Sequence, residues 1–79
     1  PEEILLRLAR NLKAIYSDAG DTEKAIAMSS FALGINPLDA HELRSRANLY
    51  HQMFCYRAAL ADFEVFAGTR RKRSTILVP

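Results

Sequence analysis

Three features of the sequence predict an all-α fold of two antiparallel helix hairpins. Apolar residues recur at helical spacing, turn residues divide the chain into four segments, and the residue pattern repeats after 34 positions. No segment alternates between apolar and polar residues as a half-buried strand would. With 79 residues, of which 49% are hydrophobic and 25% charged, the chain has the composition of one small globular domain.

Turn and capping residues mark the ends of the predicted helices. Gly20-Asp21 separates the first two helices, and Asp21 or Thr22 is placed to cap the second. Asn36-Pro37 ends the second helix, because proline disfavours helical geometry at the residue before it. Asp39 and Glu42 have the spacing of a capping box, which satisfies the first free amides of a third helix. The predicted helices cover residues 3–18, 22–35, 40–53 and 56–67.

Shifting the sequence by 34 residues superposes similar side chains, with Tyr16 on Tyr50 and Ala25 on Ala59. This pattern resembles the tetratricopeptide repeat, whose unit is a pair of antiparallel helices with that period, stacked into a right-handed α-solenoid. The resemblance implies a protein-interaction or scaffolding module that binds a protein or peptide. It predicts a helical domain over residues 1–67, with units at about 6–39 and 40–67, and a tail over residues 68–79.

Five positions depart from the pattern of that family. Lys13 replaces a small residue, Ser29 a large apolar one, and Arg46 an aliphatic one. Phe54 stands where a turn glycine is usual, and Phe66 where alanine is usual. The two units are therefore a divergent pair rather than copies of a consensus.

A narrower resemblance rests on three segments, Arg10–Tyr16, Glu42–Arg46 and Cys55–Phe66. They are similar to the repeat-bearing C-terminal part of a bacterial family in which a transglutaminase-like domain precedes the repeats. This resemblance implies a longer bacterial protein, in which these residues form an accessory helical domain. Any cysteine-histidine chemistry would then lie upstream of Pro1.

Composition and spacing argue against catalysis and cofactors within these residues. Cys55 is the only cysteine, which excludes an intrachain disulfide and favours a reducing, cytoplasmic setting. His51 lies four residues before Cys55, but no third group is evident that would orient its imidazole. The sequence has no metal-ligand spacing, no phosphate-binding glycine motif and no apolar run long enough to span a bilayer. We predict no catalytic residue, metal or cofactor, and no membrane contact.

In tetratricopeptide arrays the first helices of successive units line a groove that binds peptides. The residues at those positions here are polar, and Arg10 and Arg44 lie one repeat apart on the same face. Asn48 follows Arg44 by one turn, an arrangement that resembles part of a carboxylate clamp. The alternative is a solvated polar helix face. The predicted groove residues are Arg10, Asn11, Arg44, Asn48 and His51.

Two further surfaces could bind a partner, the end of the last helix and the basic tail, and each has more than one interpretation. Phe63, Val65 and Phe66 on the last helix are predicted to form an uncovered end face, open to a partner subunit, an upstream domain, the tail or a second copy of the chain. The last helix is predicted to fade at Gly68, so that the tail is not a capping helix.

The tail begins with four adjacent cations, without which the body has seven basic and nine acidic side chains and is no platform for nucleic acid. Nucleic-acid or phosphate contact therefore rests on the tail alone, and the alternative there is a solvated chain end. The candidate polyanion contacts are Arg70, Arg71, Lys72 and Arg73.

Overall fold

The computed structural model describes the backbone of residues 1–77 and the side chains of residues 1–69. That part of the chain contains four helices and no strand. Each helix packs against the next one along the chain, giving hairpins α1–α2 and α3–α4 joined through α2 and α3. The predicted all-α fold of two antiparallel hairpins is confirmed. The helices are α1 (Glu2–Asp18), α2 (Thr22–Ile35), α3 (Ala40–Gln52) and α4 (Tyr56–Leu77).

Helix α2 begins and ends at the residues that the turn signals predict. The Asp21 carboxylate caps the helix by accepting a hydrogen bond of 3.2 Å from the backbone amide of Lys24. The last helical residue is Ile35, and Asn36 is its C-cap, immediately before Pro37. Local sequence therefore determines both ends of this helix.

Helix α3 forms only half of the predicted capping box. Asp39 Oδ1 accepts a hydrogen bond of 3.3 Å from the backbone amide of Glu42. In a complete box the Glu42 side chain would return to the amide of Asp39, but that amide donates to the carbonyl of Asn36 at 3.2 Å. The Glu42 carboxylate is directed into the protein instead, where it has other partners.

The two hairpin turns have the same backbone form but different residues. Gly20 has φ = 80°, and Phe54, which follows it by one repeat, has φ = 61°. Glycine adopts this left-handed conformation without a steric penalty, whereas a bulky side chain is strained there. The Phe54 side chain is 77% exposed. Its ring packs edge to face against Tyr56, with the ring centroids 6.3 Å apart.

Helix α4 is longer than predicted, because it continues through Gly68 to Leu77. The prediction that this helix ends near residue 67 and is followed by a non-helical tail is therefore wrong over residues 68–77. A glycine stops a helix when it adopts a positive φ, and Gly68 does not. One glycine in a helix interior costs only about 1 kcal/mol, and the arginines and lysine that follow are good helix formers.

Small side chains dominate the core. Ala25 and Ala59 are buried at equivalent positions of the two hairpins, as the repeat register predicts. Small residues at these positions let the paired helices approach closely. The buried apolar residues are Ala9, Ala25, Ala32, Leu33, Leu43, Ala47, Leu49 and Ala59.

Candidate functional site

A buried carboxylate joins three helices at the junction between the hairpins. Glu42 of α3 is 1% exposed, and its Oε1 accepts hydrogen bonds from Lys13 Nζ of α1 at 2.7 Å and from Ser29 Oγ of α2 at 2.9 Å. Lys13 also donates to Ser45 Oγ at 3.0 Å. A buried charge is tolerated when it is paired and hydrogen-bonded, and Glu42 meets both conditions through Oε1.

Arg10 completes the charge balance of this network. Its Nη2 donates to Asp39 Oδ2 at 3.3 Å, and its Nε lies 3.4 Å from Glu42 Oε2. The second approach is close enough for an ion pair but lacks hydrogen-bond geometry, so Oε2 is buried without a hydrogen-bond partner. Arg10 is therefore engaged within the chain rather than free in the groove, although half of its side chain is exposed.

A second ion pair fixes α4 to the same junction. Arg46 of α3 binds Asp62 of α4 bidentately, with Nε to Oδ2 at 2.8 Å and Nη2 to Oδ1 at 2.7 Å. Its Nη1 donates to Ser30 Oγ of α2 at 3.1 Å, and its guanidinium lies 5.7 Å from the ring centroid of Tyr50. The hydrogen bonds to Asp62 raise the pKa of Arg46, against the opposing effect of burial. Arg46 therefore stays charged at every accessible pH.

These contacts account for three of the five departures from the repeat pattern. Lys13 and Ser29 both bind Glu42, and Arg46 binds Asp62. Each of these three polar residues is thus matched by a polar partner on another helix. Sequence reasoning noticed the departures but missed the partners. The available signal was opposite charge at core positions, between the two units for Lys13 and Glu42 and within the second unit for Arg46 and Asp62.

All five predicted groove residues are exposed, and no side-chain hydrogen bond or ion pair joins one of them to another within residues 1–69. Asn11, Arg44, Asn48 and His51 are all exposed. The side chains of Arg44 and Asn48 form no hydrogen bond or ion pair within residues 1–69. Arg10 differs from the other four in that its side chain forms ion pairs within the chain, with Asp39 and Glu42.

His51 and Cys55 point to different neighbours. The His51 ring meets Tyr56 edge to face at 5.3 Å, whereas Cys55 Sγ lies 3.8 Å from the carbonyl oxygen of Met53. Cys55 is exposed. Among the described residues, no cluster of three or more His, Cys, Asp or Glu side chains could hold a metal ion. The prediction that these residues include no catalytic residue stays a prediction.

The predicted end face on α4 is only partly open. Phe63 and Val65 are exposed, and Phe66 is half-buried. The side chains of Arg70, Arg71, Lys72 and Arg73 lie outside the described ones, so the predicted polyanion contact stays a prediction. No helix in the described part of the chain has the length and apolar character to cross a membrane.

A second apolar surface lies at the other end of the molecule, on the outer side of α1 and α2. There an open pocket of about 140 Å³ is lined by apolar residues. We call this surface the N-terminal apolar face; it was not predicted from the sequence. Its pocket residues are Leu5, Leu8, Ala9, Leu12, Met28 and Phe31.

Two stacked antiparallel hairpins with a 34-residue register define a helical-repeat protein of the tetratricopeptide class. The tetratricopeptide repeat family model matches residues 12–78, and the chain belongs to that family. Such repeats commonly form protein-interaction modules.

Relatives come from several bacteria. Over 64 residues, or 81% of this chain, it is 38% identical to a UPF0162 protein of Pseudomonas aeruginosa. It is 34% identical to UPF0162 protein YchA of Escherichia coli and 33% identical to Protein SirB1 of Salmonella typhimurium over the same length. The match spans about a quarter (24%) of each relative. No solved structure matches the chain.

The names of these relatives say nothing of a transglutaminase-like domain. The narrower resemblance to a family with that domain therefore stays a prediction.

Proposed function

We propose that this pair of hairpins binds an acidic segment of a partner protein on the exposed face of α1 and α3. The observation that carries the proposal is that the Arg44 side chain is exposed and has no ion pair or hydrogen bond within residues 1–69. Asn48 lies one helical turn away on the same helix. A guanidinium binds a carboxylate bidentately, and an amide side chain binds extended backbone.

The distribution of charge supports an acidic partner. Within residues 1–69, Arg10 and Lys13 are balanced by Asp39 and Glu42. Arg44 has no such counter-charge among those residues. A cation that the fold does not neutralise attracts an anion from outside, and a carboxylate-rich peptide supplies one.

A binding assay with paired peptides tests this proposal. A library of peptides that end in acidic residues would be screened, each with a free and an amidated carboxyl terminus, and affinities measured by fluorescence anisotropy. The best binder should lose about ten- to a hundredfold in affinity for the Arg44→Ala, Asn48→Ala variant, because a charged hydrogen bond contributes about 1.5 to 3 kcal/mol. The same binder then serves as bait to identify the partner from cell extract.

Arg57→Ala is the matched control, since Arg57 is an exposed cation of α4 with no ion pair within residues 1–69. It should leave the affinity unchanged. Equal losses for Arg44 and Arg57 would show attraction by net charge alone, and a library without acidic binders would contradict the proposal.

The end face is the second candidate site, because Phe63 and Val65 are large apolar side chains that the fold leaves partly exposed. If Phe63→Ala and Val65→Ala abolish binding that Arg44→Ala leaves intact, the end face is the partner surface.

A further inference from the structure

The N-terminal apolar face has an exact counterpart elsewhere in the fold. A shift of 34 residues places Leu8 on Glu42, Leu12 on Arg46 and Met28 on Asp62. Glu42 and Arg46 are residues with which the second hairpin contacts the first, through Ser29 and Ser30 of α2. The N-terminal apolar face is thus the side of the first hairpin that corresponds to an occupied side of the second.

The chemistry of the two sides is opposite. The side of the second hairpin carries charged residues, and each has a partner of opposite charge. The N-terminal apolar face carries large apolar side chains that stand open: Leu8 is 52% exposed and Phe31 47% exposed. An apolar surface gains free energy when it is covered, and clustered exposure of this kind marks an interface.

The relatives have enough chain outside the shared region to supply a segment that covers this face. The region they share with this chain is 24% of their length, so most of each relative lies outside it. In stacked helical repeats, each unit is covered by the unit that precedes it in the same polypeptide. A preceding segment is also held at a high effective concentration by its covalent connection, which a separate partner lacks.

We propose that the N-terminal apolar face is the docking site of a helical segment that precedes residue 1 in the longer polypeptide. This segment stacks on α1 and α2 as the first hairpin stacks on the second. It presents apolar side chains where the first hairpin presents Lys13 and Ser29, because Leu8 replaces the carboxylate that those two residues bind. The proposal concerns a different surface from the groove of α1 and α3 and does not depend on it.

Amide hydrogen exchange tests the docking directly. The complete reading frame and the 79-residue chain would be compared under the same conditions. We expect amides of α1 and α2 around Leu8 and Phe31 to exchange at least about tenfold more slowly in the complete protein, because covering a helix raises the free energy of local opening. Equal exchange in the two proteins, or a reading frame with no residues before Pro1, overturns the proposal.

A pair of substitutions identifies the surface. Leu8→Glu lies within the N-terminal apolar face, and Leu38→Glu changes a leucine of similar exposure (60%) in the turn between α2 and α3. In the complete protein, Leu8→Glu should lower the Tm by about 5 °C or more beyond Leu38→Glu, since it places a charge in a covered apolar contact. In the 79-residue chain the two should differ little. Phe31→Ala is a milder variant of the same face, and it too should lower the Tm more in the complete protein than in the 79-residue chain.

Sedimentation separates the preceding segment from a second copy of the chain. We expect Leu8→Glu to leave the oligomeric state of the complete protein, measured as the mass of the sedimenting particle, unchanged. If the complete protein is a dimer that Leu8→Glu dissociates, the occupant is a second copy and the proposal is wrong. If Leu8→Glu and Leu38→Glu have equal effects on the Tm of the complete protein, the face is not covered and the proposal is again wrong.

Discussion

The outer side of the first hairpin and the inner side of the second occupy the same place in the repeat but differ in chemistry. On the inner side, Glu42 is buried beneath Lys13 and Ser29 of the preceding hairpin. On the outer side, the equivalent Leu8 is half-exposed beside an apolar pocket. One backbone arrangement therefore carries two kinds of surface.

The difference shows how a repeat junction gains selectivity. A buried carboxylate requires donors at fixed positions, because an unsatisfied charge in the interior is costly. The inner side accordingly accepts a hairpin that presents an amine and a hydroxyl where Lys13 and Ser29 stand. An apolar side requires only complementary shape and accepts a broader range of partners. Substitutions on each side measure how much each kind of surface contributes to stability.

The largest effect is expected from Glu42→Ala. Without the carboxylate, Lys13 and Ser29 lose their shared acceptor, and the free energy of unfolding should fall by roughly 3 kcal/mol, the lower end for a broken buried pair. That corresponds to about 12 °C or more in Tm for a domain of this size. Thermal unfolding followed by circular dichroism measures the change.

Glu64→Ala, an exposed acid in α4, is the control and should change the Tm little. A rescue sharpens the result: Lys13→Ala combined with Glu42→Leu converts the contact to apolar and should recover most of the loss, because well-packed apolar replacements of ion pairs are often neutral. If Glu42→Ala and Glu64→Ala behave alike, the network does not hold the junction.

The second ion pair should contribute somewhat less. Arg46→Ala removes the bidentate contact to Asp62, whose side chain is 7% exposed, and should lower the free energy of unfolding by about 2 kcal/mol. Arg44→Ala, at an exposed position two residues earlier, provides the reference. A denaturant midpoint that shifts equally for both variants would contradict the assigned contact.

The close approach of paired helices predicts an overpacking effect in both hairpins. Ala25→Leu and Ala59→Leu each insert atoms at a buried position and should destabilise by about 1 to 3 kcal/mol. Ala27→Leu and Ala61→Leu, at exposed positions of α2 and α4, are the matched controls. Four similar melting curves would refute the packing register of the two hairpins.

The smallest expected change is a gain in stability. Phe54→Gly removes the strain of a bulky residue with φ = 61° and should stabilise the chain by about 0.5 to 1 kcal/mol, net of the entropy of glycine in the unfolded state. Gly20→Ala, at the equivalent turn, should destabilise by a similar amount. A lower denaturant midpoint for Phe54→Gly would mean that its contact with Tyr56 outweighs the strain.

The sequence predicted the features that depend on neighbouring residues. Asp21 and Pro37 mark the ends of α2, and Ala25 and Ala59 lie in the core at the spacing of the repeat. Gly68 misled the prediction because a glycine stops a helix only if its backbone leaves the helical region, which its identity alone does not determine.

The polar junction lay beyond such reasoning, because its partners are distant in sequence. Lys13 and Glu42 are 29 residues apart, and Arg46 and Asp62 are 16 apart. Glu42 also has the spacing of a capping residue, and local reasoning assigned it to that role. The N-terminal apolar face was missed because its leucines follow the periodicity that core residues also follow.

Two single substitutions, each of which introduces the residue found at the equivalent position, test most directly whether equivalent sides of the two hairpins differ in chemistry. Leu8→Glu and Glu42→Leu would be melted side by side in the 79-residue chain. We predict a Tm within a few degrees of the parent for Leu8→Glu, because that position is already half-exposed. For Glu42→Leu we predict a loss of about 12 °C or more, because the variant removes the carboxylate that Lys13 Nζ binds at 2.7 Å and leaves that half-buried amine without its partner. Equal losses, or a larger loss for Leu8→Glu, would contradict the account.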